Sequence, residues 1–344
     1  MEAALYDPEL GFYASGGAAG RRGDFLTAPE VGPLFGALVA RALDRWWADA
    51  GRPDPWLVVE AGAGRGTLAR TVLAAAPACA GALRYVLVER SAALRAEHAR
   101  HLPWSAPREV ELDSAGGGPV VTSLGELPAG LDGPVAVLAN ELLDNLPFDV
   151  VERRDGRWCE VRVGAGAGGL EEVPVEAPPD VAARADALVP EATDGTRIPL
   201  QQAAAAWLAA ALAVAPSVRV VVVDYTVPTT AELAGRGFAG WLRTYRGHER
   251  GGPPLADLGT QDLTCDVAED QLARVRAPVA RATQAEALAA LGIDELVEEG
   301  RRVWAERAAV GDLAALRARS RAREAEALLD PAGLGAFTVL EWQT

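Results

Sequence analysis

Glycines and an acid stand together at one point of the chain in an arrangement that suits a bound ligand. The segment Trp56-Leu57-Val58-Val59-Glu60-Ala61-Gly62-Ala63-Gly64-Arg65-Gly66-Thr67-Leu68 passes from a short apolar run through glycines into a helical pattern. Glycine has no Cβ, so a loop of this kind turns tightly and lets a ligand approach its backbone. A dinucleotide fingerprint would need its last glycine at position 67, which is Thr67, and the lysine of a phosphate loop is absent. Glycines alone would also suit a generic turn, so the ligand must be read from the acids nearby.

Glu60 lies two residues before the first glycine, where a carboxylate repels a pyrophosphate. It can pair instead with a cationic group, such as the amino-acid end of S-adenosylmethionine, directly or through water. The next apolar run ends at Val88-Glu89, and an acid at such a strand tip can accept hydrogen bonds from both hydroxyls of an adenosine ribose. A third run, Val135 to Ala139, leads into Asn140-Glu141-Leu142-Leu143-Asp144-Asn145-Leu146-Pro147. Asn140 and Glu141 then meet the same crevice as Gly62 and Glu89. Glu141 and Asp144 share a face if the chain turns helically there. The plainer alternative makes Asn140 a helix cap and Asp144 part of a solvated turn.

The elements that must hold these residues alternate. The first thirty residues are turn-rich, and a helix is predicted from near Pro29 through Leu34, Phe35, Leu38, Val39 and Leu43. Strands follow at Trp56 to Val59, Arg84 to Val88, Val135 to Ala139 and Phe148 to Arg153, with helices at Leu68 to Ala76 and Ala92 to Leu102. This alternation predicts an α/β fold, a doubly wound, Rossmann-like sheet with an N-terminal segment and an inserted helical and loop accessory region. Further on, Gln201 to Val214 reads as helix and Val218 to Val223 as strand. Thr226 to Thr264 reads as a long lid or binding loop. Val267 to Val275, Thr283 to Leu291 and Arg301 to Leu329 read as helices, and Phe337 to Trp342 as a closing strand. The expected division is 1–157 for the N-terminal segment and first part of the core, and 158–217 for an insertion. A core strand occupies 218–226, an accessory substrate or lid region 227–330, and the last core strand 331–344.

Composition narrows the function classes. The 344 residues carry 33 basic and 48 acidic side chains, a formal charge of -15. This disfavours a nucleic acid as main partner. All of the basic side chains are arginine, which fits a GC-rich codon usage better than a function. Cys79, Cys159 and Cys265 are widely spaced and the histidines are His98, His101 and His248, too little material for a zinc site. Sparse cysteines, with no apolar run long enough to span a bilayer and no visible secretory leader, predict a cytoplasmic protein without membrane insertion.

The motifs together resemble the MidA-like family of S-adenosylmethionine-dependent methyltransferases. The resemblance rests on LYDPELGFY (Leu5 to Tyr13), GDFLTAPEVGPLFG (Gly23 to Gly36), VEAGAGRGTL (Val59 to Leu68), VERSAALR (Val88 to Arg95) and ANELLDNLPFDVV (Ala139 to Val151). It continues through VVDYT (Val222 to Thr226), YRGH (Tyr245 to His248), QDLTCDV (Gln261 to Val267) and TQAEALAALGI (Thr283 to Ile293). It implies S-adenosylmethionine as cofactor, bound by Gly62, Gly64 and Glu89. The segment carrying Gly23, Asp24, Thr27 and Glu30 would fold over it, with Asn140 and Glu141 toward the substrate. The chain departs from the family pattern at Arg70, where an acid is usual, at Thr226, where glycine follows Asp-Tyr, and at Asp266, where histidine is usual.

The family's mitochondrial member is an arginine methyltransferase that assists assembly of respiratory complex I, so the implied partner is a protein arginine. An arginine arrives cationic, with a pKa of about 12.5–13.8, and must approach a sulfonium of like charge. Glu141 and Asp144, with Asp224 as a further candidate, would neutralise that repulsion and position one nitrogen for in-line methyl transfer. Two other readings compete. One is an assembly factor that binds S-adenosylmethionine without catalysis. The other is a nicotinamide dehydrogenase, weakened by Thr67.

Overall fold

The computed structural model describes residues 1–14, 27–102, 112, 115–247 and 249–344. The expectations placed on Gly23, Asp24 and His248 lie outside these residues.

A seven-stranded sheet forms the centre. Its strands in chain order are β1 (Trp56–Ala61), β2 (Leu83–Val88), β3 (Val120–Leu124), β4 (Pro134–Asn140), β5 (Ser217–Asp224), β6 (Ala280–Thr283) and β7 (Thr338–Gln343). Across the sheet they run β6-β7-β5-β4-β1-β2-β3. β3, β2, β1, β4 and β5 are mutually parallel, while β7 is antiparallel to both of its neighbours. The apolar runs behave as strands buried on both sides. In β1, Trp56 and Val58 pack with the helix Pro33–Asp49, the helix Thr67–Ala74 and the C-terminal helices. Leu57 and Val59 point the other way, toward the helix Gln202–Leu212. Alternation of side chains across a pleated strand makes this two-sided burial possible. The architecture is the expected doubly wound α/β fold.

Between β4 and β5 the chain builds a separate four-stranded antiparallel sheet. Asp149–Arg154 pairs with both Arg157–Gly166 and Arg197–Leu200, so this unit begins upstream of residue 158. Trp158, Val151, Ile198 and Leu200 form its own small core with Leu188 of the helix Pro179–Leu188. The region after β5 is less irregular than its sequence suggests, because Leu242–Arg246 pairs antiparallel with Asp262–Cys265.

Several predicted elements are corrected in extent. The helix expected from Pro29 is broken at Gly32 into Ala28–Val31 and Pro33–Asp49, since Pro33 supplies no N–H to continue the first. Val267 to Val275 is helical only over Glu269–Ala273, and Val267–Ala268 pairs with Thr226–Val227 instead. Arg301 to Leu329 belongs to two helices, Ile293–Arg307 and Leu313–Leu329, separated at Gly311, whose φ is 62°. The second is capped by Asp312, which accepts the Ala315 N–H at 2.9 Å. These helices cover one face of the central sheet through Ile293, Leu296, Ala325 and Leu328.

Candidate functional site

Register brings the sequence-predicted acids to one edge of the sheet. Ala61 stands opposite Val88 on one side and Ala139 on the other, and Asn140 stands opposite Val223. The residues that follow these positions therefore emerge together at the carboxyl ends of the strands, where ligands of open α/β sheets bind. Gly62, Glu89, Asn140 and Glu141 line a cavity of about 370 Å³, large enough for a small-molecule ligand.

The glycine loop is held in place from two directions. Gly62 and Ala63 N–H both donate to Val88 O, at 2.9 and 3.1 Å. Gly62 and Gly64 have φ of 69° and 54°, a region where a Cβ is strained. A Cβ at Gly64 would meet no protein atom within 4 Å, so that space is open to a ligand. The Gly64 N–H donates to Glu89 Oε2 at 2.9 Å, and Ser91 N–H donates to Glu89 Oε1 at 2.7 Å. Each Glu89 oxygen keeps a lone pair that can accept a hydroxyl. Burial holds the Glu89 carboxyl above its usual pKa. His98, which the sequence singled out only as scarce metal-site material, supports the same loop. Its Nε2 lies 2.8 Å from Gly64 O and its Nδ1 2.9 Å from Ser123 Oγ, so the ring donates to the carbonyl and burial lowers its pKa.

Glu60 sits under the loop, buried, and its Oε2 accepts the Tyr85 hydroxyl at 2.7 Å. Burial pushes its carboxyl up to about 7, against the pull of that hydrogen bond. A carboxyl in this state favours a cation, whose arrival would return it to the ionised form.

On the opposite wall, Glu141 begins the turn after β4 with φ 52°, unusual for a residue with a side chain. Its Oε1 accepts both the Ala28 N–H at 3.1 Å and Asn140 Nδ2 at 3.0 Å. Burial, and secondarily the neighbouring Asp144, raises its carboxyl to about 8. Asn140 Oδ1 is buried without a hydrogen-bond partner. Thr27 and Glu30 also line the cavity, which puts the described end of the N-terminal segment over it.

Asp144 and Asp224 stand elsewhere. Neither contributes to the cavity lining. Asp224 is fully buried, and its Oδ2 accepts Leu143 N–H at 2.9 Å and Asp144 N–H at 3.4 Å, while its Oδ1 accepts Tyr225 N–H at 2.9 Å. It binds the turn 143–145 to the end of β5. Asp144 accepts the Tyr225 hydroxyl, and burial raises both carboxyls. Arg243 stacks on the Tyr225 ring 4.9 Å from its centroid and forms an ion pair with Asp266. Asp266 also pairs with Arg236 at 2.8 Å, so the departure at this position is matched by two arginines. Arg70 is exposed, and the Thr226 hydroxyl bonds to Thr338 Oγ1 at 2.9 Å.

Residues not singled out by the sequence complete the wall. Tyr6 and Tyr13 line the cavity, stacked with ring centroids 5.5 Å apart. The Tyr6 hydroxyl donates to Asn145 O at 3.1 Å and the Tyr13 hydroxyl to Asp262 Oδ1 at 3.4 Å. Asp262 is buried, which pushes its carboxyl up to about 7 with a contribution from Asp144. Tyr6 and Tyr13 lie in the LYDPELGFY motif, Asn145 in ANELLDNLPFDVV and Asp262 in QDLTCDV, so the motifs carried these residues without giving any of them a role.

The residues 38–287 match the profile of a family described as "Putative S-adenosyl-L-methionine-dependent methyltransferase". The chain belongs to this family. A superfamily member from Burkholderia thailandensis, described as a "likely methyl transferase" and bound to S-adenosyl-homocysteine, superposes with a TM-score of 0.80 at 28% identity, covering 100% of this chain and 86% of that one. A mitochondrial protein arginine methyltransferase NDUFAF7 from Xenopus tropicalis is 27% identical over 319 residues, 86% of this chain and 71% of that protein. Its Drosophila melanogaster homologue is 33% identical over 186 residues, 50% of this chain and 42% of that protein. The match thus spans less than half the length of the Drosophila relative. The cofactor of the family is S-adenosylmethionine, and the residues present fit it: a glycine loop with open space at Gly64, a ribose-ready acid at Glu89 and a buried acid at Glu60 for a cation. Relatives also correct the expected cytoplasmic address, since they are named as mitochondrial proteins. Sparse cysteines separate reducing from oxidising compartments, but they do not separate the cytosol from a mitochondrion. Among the described residues no helix is long and apolar enough to cross a membrane.

Proposed function

We propose that this protein is a methyltransferase acting on an arginine side chain of a protein substrate. The observation that carries the reading is the pairing of a glycine and acid cradle with an opposite wall made by half-buried Glu141 and the unpartnered Oδ1 of Asn140, in one cavity. The names of the NDUFAF7 relatives, protein arginine methyltransferases, support the choice of arginine.

Glu60 and Glu89 are the residues that would hold the cofactor, the first against its ammonium group and the second against its ribose, with Gly62 and Gly64 leaving the backbone open to it. Thr27 and Glu30 would cover it. When bound, S-adenosylmethionine supplies an electrophilic methyl group on a sulfonium. Glu141 uses Oε1 to hold Ala28 and Asn140, leaving Oε2 for a guanidinium N–H. A guanidinium beside it favours the ionised carboxylate, drawing the Glu141 pKa down from about 8. The resulting pair offsets the repulsion between two cations and fixes one nitrogen toward the cavity. Asn140 Oδ1 accepts a second N–H. The extra proton of the methylated product passes to water, so the wall needs no strong base.

The test is transfer of a labelled methyl group to arginine-containing peptides, with lysine-substituted peptides as controls. Label on arginine supports the reading. Tight binding of S-adenosylhomocysteine with no labelled peptide or protein would instead favour a binding-only assembly factor.

A further inference from the structure

Two carboxamides at the cavity are locked the same way round. Asn140 Nδ2 donates to Glu141 Oε1. Asn145 Nδ2 spends both hydrogens away from the cavity, donating to Asp262 Oδ1 and to Leu263 O, each at 3.1 Å. An amide held by both of its hydrogens has only its oxygen left to offer. Asn145 is 7% exposed and lines the cavity, and among the described residues no donor reaches its Oδ1. Asn140 Oδ1 is moreover fully buried with no hydrogen-bond partner. The two tyrosine hydroxyls of this wall are turned aside as donors, Tyr6 toward Asn145 O and Tyr13 toward Asp262. The buried Asn140 Oδ1 without a donor costs about 1–3 kcal/mol, a penalty that a ligand N–H removes, while Asn145 Oδ1 opens onto the cavity.

We propose that Asn145 is the specificity-determining residue of the substrate side, presenting its Oδ1 to an N–H-rich, acceptor-free group, with Asp262 as the positioning residue that fixes the amide. This inference rests on the methyltransferase reading and deepens it. The oxygens of Asn140 and Asn145 admit a guanidinium or ammonium group, which also draws Glu141 into its ionised form, and they disfavour carboxylate or phosphate groups, whose acceptors would face those two oxygens. Asp262 is the part of the device that decides the orientation. Without it one Asn145 hydrogen is released, and the amide can turn a donor into the cavity.

The experiment measures peptide methylation kinetics and S-adenosylhomocysteine affinity for Asn145→Leu, Asp262→Leu and Asp262→Asn in the full chain. Asn145→Leu is expected to raise the peptide KM about tenfold or more, with kcat changed only a few fold and S-adenosylhomocysteine affinity unchanged. Asp262→Leu should raise KM in the same direction. Asp262→Asn, whose Oδ1 can still accept from Asn145, should restore most of it. Arginine and lysine peptides distinguish the two donor groups. An active wild type with an unaltered peptide KM in Asn145→Leu overturns this inference alone. A loss of S-adenosylhomocysteine affinity in Asn145→Leu also overturns it, because the acceptor would then serve the cofactor. A wild type that binds S-adenosylhomocysteine and methylates no peptide overturns the functional reading and this inference with it.

Discussion

Glu141 Oε1 accepts the backbone N–H of Ala28 at 3.1 Å, joining the end of β4 to the segment whose Thr27 and Glu30 line the cavity. One side chain thus closes the site and supplies its negative charge. The two roles separate by substitution. Glu141→Gln keeps an acceptor oxygen for Ala28 and loses the charge, so turnover should fall about 10- to 100-fold while cofactor affinity stays near wild type. Glu141→Ala removes the anchor as well and should weaken cofactor binding in addition. Calorimetry with S-adenosylhomocysteine beside steady-state methylation separates the outcomes, and equal cofactor affinity in both variants would show that the Ala28 contact does not matter.

Gly64 occupies φ 54° with open space where a Cβ would stand. Gly64→Ala should destabilise the fold by only about 1–2 kcal/mol, the strain of a left-handed alanine. Its methyl group would project into the cavity, so S-adenosylhomocysteine affinity should drop further than stability does. Thermal unfolding with and without the ligand measures both, and a Gly64→Ala protein with unchanged ligand-induced stabilisation would move the cofactor away from this loop.

Asp224 satisfies the N–H groups of Leu143, Asp144 and Tyr225 from a fully buried position. Its removal leaves those donors without partners. Asp224→Ala should therefore cost about 2–4 kcal/mol of stability, and the fraction that remains folded at low temperature should retain much of the wild-type kcat. A stable Asp224→Ala protein with abolished turnover would return this residue to the chemistry.

Legibility followed burial. β1, β2, β4 and β5 are packed on both faces, so each is a continuous apolar run that announces itself, and the acids at their ends inherit that clarity. β6 reads Ala-Arg-Ala-Thr at an exposed edge and β3 is half-buried at the other, so neither has a run to recognise. Asp149–Arg154 reads as a strand, but no local pattern says which sheet it joins. The same limit applies to the site. Glu60 and Asn140 lie at the ends of β1 and β4, and Glu89 and Glu141 directly follow β2 and β4. Tyr13 and Asn145 meet at Asp262 across 249 and 117 residues of chain, and such meetings belong to tertiary packing. Asp144 and Asp224 were plausible by proximity to strand ends, yet both turn toward the scaffold and away from the cavity.

The ligand-free protein carries buried carboxyls whose pKa values are raised by burial: Glu60 to about 7, Glu141 to about 8 and Asp262 to about 7. A group whose folded pKa exceeds its unfolded value binds more protons when folded, so its stabilising effect is complete below the unfolded pKa and is lost as pH rises through the folded one. The ligand-free Tm should accordingly fall between pH about 5 and 8, by on the order of 5 °C. A cationic ligand favours the ionised carboxylates, so S-adenosylmethionine should stabilise the protein more at pH 8 than at pH 6 and flatten the profile. Turnover should rise over the same window as Glu141 ionises, and Glu141→Gln should remove the uppermost part of that rise. Calorimetric scans and rate profiles across this range provide the measurement. A ligand-free Tm that climbs steadily from pH 5 to 8 would mean that these carboxyls are already ionised in the folded protein.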